Sequence, residues 1–141
     1  MQGMEAYAEE YARGDKDREE IITQSRSILK SAKQAIYALH RNEPEEWKAK
    51  TQAAKKIIAQ LQTIPQSASV GAFRAALEEY VEALAFAFVL EEHTLPTKKD
   101  LGLEAVATET FLQGLCDCSG ELVRKATAAA TAGDTAQVET F

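Results

Sequence analysis

Two cysteines, three prolines and seven glycines are all that this 141-residue chain contains of the residues that staple or interrupt a fold. Cys116 and Cys118 fall two apart in one helical stretch. There their side chains diverge by about 200°, so they can neither pair with each other nor build a zinc site alone. A chain without a disulfide framework is expected in a reducing cytoplasm. With Gly and Pro scarce and Ala, Glu, Lys, Gln and Leu plentiful, the composition favours helix throughout. Long hydrophobic runs are also missing: "VEALAFAFVL" is too short to span a bilayer and contains Glu82, which argues against a membrane partner. The N-terminal "MQGMEAYAEEYARGDKDREE" is acidic and has no apolar core segment, so no signal peptide is expected. Histidine occurs only at positions 40 and 93, and neither has a glutamate three residues before it. That excludes the Glu-x-x-His pairs of a ferritin-like di-iron bundle. His40 and His93 are both expected at helix ends, His40 at a C-terminus where the helix dipole favours a cation.

Basic charge is in overall deficit, at a net −6, yet it is concentrated. Residues 26–56 hold eight Lys and Arg against three Glu, a local +5, which leaves −11 for the remainder. Such a division suits a polyanion on one surface and cations on another. A pair of solvated helix faces is the simpler reading of charge taken alone.

Periodicity divides residues 1–141 into one domain of four helices. The first, from about Asp17 to Arg41, carries Ile21, Ile28, Leu29, Ala32, Ala35, Ile36 and Leu39 on one stripe, as an amphipathic helix should. Arg26, Lys30, Lys33, Tyr37 and Arg41 line a different face. "NEP" at 42–44 ends it, since proline disfavours helix in the residue before it. A second helix is expected over about 45–62, a third over about 71–93 and a fourth over about 104–131. "AGD" closes the fourth, and "TAQVETF" reads as the opening turns of a further element. Short loops between long helices predict an all-α antiparallel helical bundle.

Two pairs of carboxylates stand out within it. On the third helix Phe73, Leu77, Val81, Leu84 and Phe88 form one apolar stripe, while Glu79 and Glu82 share the opposite side with Phe86, Val89 and Leu90. A helix apolar nearly all round is buried on two sides, and a carboxylate in the second contact must be paired, neutralised or bound to a metal. On the fourth helix the expected core stripe is Phe111, Leu112, Leu115, Cys116, Ser119 and Leu122, with Asp117 and Glu121 one turn apart elsewhere. Taken alone these two are an ordinary solvent-facing pair. Gly114 and Gly120 weaken that helix by about 1 kcal/mol each relative to alanine. They leave room beside an acidic groove for an ion and a polynucleotide backbone, close core packing being the competing explanation, particularly for Gly120. If the two acidic edges converge, four carboxylates raise one another's pKa until a divalent cation removes the conflict. All-oxygen ligation suits Mg²⁺ or Mn²⁺, either of which can activate water and polarise a phosphoryl oxygen.

"SRSILKSAKQAIYALHR" (25–41), "LEEYVEALAF" (77–86) and "FLQGLCDCSGELVRKATAAATAGD" (111–134) together resemble the translin family. The likeness extends over most of residues 15–141 and is closest to the Trax branch, including its prokaryotic members. The short connection at 95–103 fits the prokaryotic ones. The resemblance implies a helical bundle assembled with further subunits, either as a homo-oligomer or with a translin-like partner, that binds single-stranded RNA or DNA. It also implies Mg²⁺- or Mn²⁺-dependent cleavage of RNA. Matched position by position, the family's acids fall on Glu79, Glu82, Asp117 and Glu121, the four that periodicity singles out. Members of the family continue with further helices, so the expected bundle lacks the family's C-terminal helices.

The expected function is therefore a metal-dependent endoribonuclease acting on single-stranded RNA, leaving 5′-phosphate and 3′-hydroxyl ends. The alternative is a non-catalytic translin-like binding module. In it Arg26, Lys30, Lys33, Lys48 and Lys55 contact phosphates, Tyr37 stacks on a base, and the acids are structural.

Overall fold

The structure is a computed structural model that describes residues 2–140, so Met1 and Phe141, the ends of the expected 1–141 domain, lie outside it. It contains α1 (Gln2–His40), α2 (Pro44–Gln62), α3 (Gly71–Glu92), α4 (Thr108–Thr131) and a short α5 (Thr135–Thr140), with a 3-10 turn at Ser67–Ser69. Among the described residues there is no strand, and no helix is long and apolar enough to cross a membrane. The all-α bundle expected from the sequence is the observed architecture.

Apolar patterning explains the arrangement. The stripe Ile21, Ile28, Ala32, Ala35, Ile36 and Leu39 of α1 is buried, and α1 packs on both α2 and α3. Helix α3 has buried side chains on two sides, from Phe73 and Leu77 to Ala85 and Phe86, and it packs on α1 and on α4. It is the central rod of the bundle, as its all-round apolarity requires. Leu103 and Val106, in the α3–α4 connection, are buried in the same core. Lys98 ties that connection down through Nζ, which donates to the Val106 carbonyl at 2.6 Å and to Thr108 Oγ1 at 3.1 Å.

Two boundaries differ from expectation. Helix α1 starts at Gln2 rather than Asp17, and residues 3–20 are exposed throughout. Its first turns carry good helix formers but no buried stripe, so apolar periodicity has nothing to report there. Helix α4 starts at Thr108, four residues late, because 104–106 are turn residues that lead Val106 into the core.

The end of α1 is clasped from α4. Asn42 takes a left-handed conformation (φ 57°), and the Glu43 N–H closes on the Ala38 carbonyl at 2.9 Å, as at many helix C-termini. Lys125 reaches across from α4, donating to the Leu39 carbonyl at 3.1 Å and to Asn42 Oδ1 at 3.0 Å. Its ammonium is buried, which lowers its pKa. The favourable meeting of a cation with a helix C-terminus offsets that cost.

Candidate metal centre and nucleic-acid face

Helix α4 is rotated from the expected phase. Its buried positions are Thr110, Phe111, Gly114, Cys118, Lys125 and Ala129. Leu112, at 53% exposure, and Cys116 and Ser119 face outward. Gly114 is the reason: a Cβ there would stand 2.5 Å from Val81 Cγ1, 2.6 Å from Val81 Cβ and 3.0 Å from the Glu78 carbonyl oxygen. The missing side chain lets α3 and α4 touch almost backbone to backbone. Gly114 therefore leaves no room for an ion, and Gly120, which has open space around it, is not a packing glycine. The expectation of room for an ion is overturned at Gly114, and the packing alternative is overturned at Gly120.

That close crossing brings the acids of the two helices into mutual range. Glu82 is only 6% exposed. Its carboxyl is pushed up from 4.5 to about 8, first by burial and then by the charges of Glu79, Glu121 and Asp117. Glu79 is half-buried and also raised: burial is the main cause, Lys33 opposes it, and Asp117 and Glu121 add to it. Cys118, buried between the same helices, is pushed up to about 12 by burial and by Glu82 and Glu121, so its thiol stays protonated and is no nucleophile.

The four acids are not equally placed. Glu121 points inward, and its Oε2 meets His40 Nε2 at 2.5 Å, with side-chain exposures of 13% and 17% respectively. Arg124 Nη1 approaches the same oxygen at 3.5 Å. Asp117 is exposed, and its Oδ1 accepts from Gln113 Nε2 at 3.0 Å. Among the described residues no three His, Cys, Asp or Glu side chains gather as tightly as a metal shell requires. The donor set nonetheless fits a hard divalent cation in kind: four carboxylates from two helices, one of them pushed toward its neutral form by burial and by its neighbours.

The basic stripe lies alongside. Arg26, Lys30, Lys33 and Tyr37 are all exposed on α1, Tyr37 at 51%. Lys33 is close enough to Glu79 to lower its pKa, so the stripe runs up to the acidic cluster. Sequence reasoning missed His40, which is bonded to a residue 81 positions away and rests on Phe86, their ring centroids 4.9 Å apart. A signal was present: His40 follows Lys33 and Tyr37 at i+7 and i+3, on the same face of α1.

A family model described as "Translin family" matches residues 16–141. The chain is 32% identical over 122 residues to the translin-associated protein X homolog of Schizosaccharomyces pombe, covering 76% of this chain and 53% of that protein. The chain belongs to the translin family. It is also 31% identical over 134 residues to an uncharacterised protein of Methanocaldococcus jannaschii, covering 92% of this chain and 59% of the other. It thus spans little more than half the length of these translin-family and archaeal relatives. Among solved structures, apo-NeC3PO superposes with a TM-score of 0.81 at 26% identity, over 94% of this chain and 71% of that one. AfC3PO superposes with a TM-score of 0.83 at 21% identity, over 99% and 72%. AfC3PO in its complex with duplex RNA gives 0.79 at 22%, over 99% and 72%. The translin-family fold is therefore the fold of this chain.

Proposed function

We propose that this chain is the catalytic part of a metal-dependent endoribonuclease acting on single-stranded RNA, with Mg²⁺ or Mn²⁺ as cofactor. The observation that carries the reading is Glu82. A buried carboxyl with three further carboxylates as its neighbours is costly for an unloaded protein, and a divalent cation removes that cost. Support also comes from the S. pombe relative, named a translin-associated protein X homolog, and, for RNA binding in general, from a structural neighbour solved as a complex with duplex RNA.

Glu79, Glu82, Asp117 and Glu121 would hold the cation, with Asp117 turning from Gln113 to join the others. When bound, it supplies Lewis acidity toward a phosphodiester and lowers the pKa of water at the site. The chain's own residues do the rest. Arg26, Lys30 and Lys33 bind successive phosphates, and Tyr37 offers a ring on which a base stacks. Lys33, beside Glu79, guides the backbone from the basic stripe to the acids. Further copies of the chain, or a translin-like partner subunit, complete the particle in the cytoplasm.

The outward turn of Asp117 and the loose gathering of the acids favour a second reading, a binding module without catalysis. Labelled single-stranded RNA incubated in Mn²⁺, with and without EDTA, separates the two. The nuclease reading expects cleavage that EDTA stops, and a loss of at least about 100-fold in Asp117→Asn and Glu82→Gln. A mobility shift without cleavage in either lane, or variants that cut at the parental rate, would sink it.

A further inference from the structure

His40 is the last residue of α1, yet it is the only basic residue of that helix bonded to the acidic cluster. Two features hold its ring in place. It packs on Phe86, a fully buried side chain of α3, with the rings inclined at 45°. Its backbone neighbour Leu39 is gripped by Lys125, one turn along α4 from Glu121. Side chains on one face of α4 therefore reach the end of α1 twice, through Glu121 to the His40 ring and through Lys125 to the Leu39 carbonyl.

The chemistry of the contact defines the roles. A carboxylate only accepts, so the imidazole nitrogen facing it must carry the hydrogen, and Nε2 is the donor. His40 and Arg124 both approach the same oxygen, Oε2. The other oxygen of Glu121 is then the one left for the acidic cluster. An outer donor that fixes one oxygen of a ligating carboxylate governs the direction of the other, and losing such a donor typically weakens metal binding 10- to 100-fold.

We propose that His40 is a positioning residue of the acidic centre, holding Glu121 in the orientation in which that carboxylate joins Glu79, Glu82 and Asp117 around a divalent cation. This rests on the metal-centre reading above. The bond reaches Glu121 from α1, so one end of the basic stripe is mechanically joined to the centre it serves. The ring is not required to touch RNA, and its role survives in any side chain that presents an N–H at the same reach.

Mn²⁺ binding to the full chain, followed by the loss of the free-ion electron paramagnetic resonance signal, tests this without RNA. His40→Ala is expected to lose about 10- to 100-fold in Mn²⁺ affinity. His40→Gln, whose amide nitrogen stands near the position of Nε2, should stay within about threefold of the parent. His40→Asn, whose amide falls short, should behave like the alanine variant. The Gln-against-Asn comparison decides the matter even if alanine unfolds the protein, because a merely structural tether gives no reason for the two amides to differ in metal affinity. Equal Mn²⁺ affinity across these variants, while Glu82→Gln abolishes binding, overturns the role of His40 and leaves the metal centre standing. A parent protein that takes up no Mn²⁺ overturns the centre and this role with it.

Discussion

Replacing Glu82 with glutamine should stabilise the cation-free protein, and the gain should grow with pH. In the unfolded chain Glu82 titrates near 4.5, whereas in the fold it is held up to about 8. Below the lower value both states carry the proton, and the group contributes no penalty. Between the two, the unfolded chain has released its proton and the folded one has not. Stability therefore falls as pH rises, by at most about 1.36 kcal/mol per unit. At pH 7, about 2.5 units above the unfolded value, the ceiling is about 3.4 kcal/mol. The cluster opens to solvent through the exposed Asp117, and screening there roughly halves the figure, to about 1.7 kcal/mol. At pH 5 the same reasoning leaves about 0.4 kcal/mol. Glutamine approximates the protonated acid at every pH, so the variant escapes the penalty. Urea unfolding followed by circular dichroism in EDTA, on both proteins at pH 5 and pH 7, measures the difference. With Mn²⁺ the order should reverse, because only the parent gains stability from the bound ion. A Glu82→Gln protein that is less stable than the parent at pH 7 in EDTA, or a gap that does not widen from pH 5, would refute the reasoning.

Gly114→Ala should destabilise the fold by up to about 2 kcal/mol in urea, since overpacking of about 1–3 kcal/mol outweighs a helix-propensity gain of about 1 kcal/mol. Adding Val81→Ala should not restore it, because the Val81 Cβ itself stands 2.6 Å from the new methyl; a stabilised single variant would contradict the close crossing. Changing Arg26, Lys30 and Lys33 together to glutamine should lower the salt dependence of single-stranded RNA binding by about two units of log–log slope, at about 0.7 per phosphate contact. An unchanged slope in filter-binding titrations would exclude the stripe from the interface.

What was legible in the sequence depended on whether apolar residues reported the environment. Glu79 and Glu82 were legible because α3 is apolar on every side, which leaves a carboxylate there nowhere ordinary to go. The phase of α4 was not, because its closest approach to α3 is made by a glycine and its bonds to α1 by a glutamate and a lysine, while Leu112 and Val123 face water. Apolar counting weighs a buried lysine as surface and a glycine as nothing. The first turns of α1 lack a buried stripe and so went unseen, although Met4, Tyr7 and Tyr11 lie within them, all exposed. The translin-like motifs singled out four acids without saying that Glu121 is inward and Asp117 outward. For His40 the sequence offered its shared face with Lys33 and Tyr37 but not its partner, which lies 81 positions away and becomes a neighbour only in the folded bundle.

The crossing at Gly114 is also the point about which any change of angle between α3 and α4 would turn. Glu121 lies seven residues further along α4, about 10 Å from that point, so a 10° swing of one rod against the other shifts its carboxylate by about 2 Å. Glu82, one residue from Val81, barely moves in the same swing. The span between the two acids therefore follows the angle at which a bare backbone rests on its neighbour, and the His40–Glu121 bond joins that far part of α4 to the end of α1.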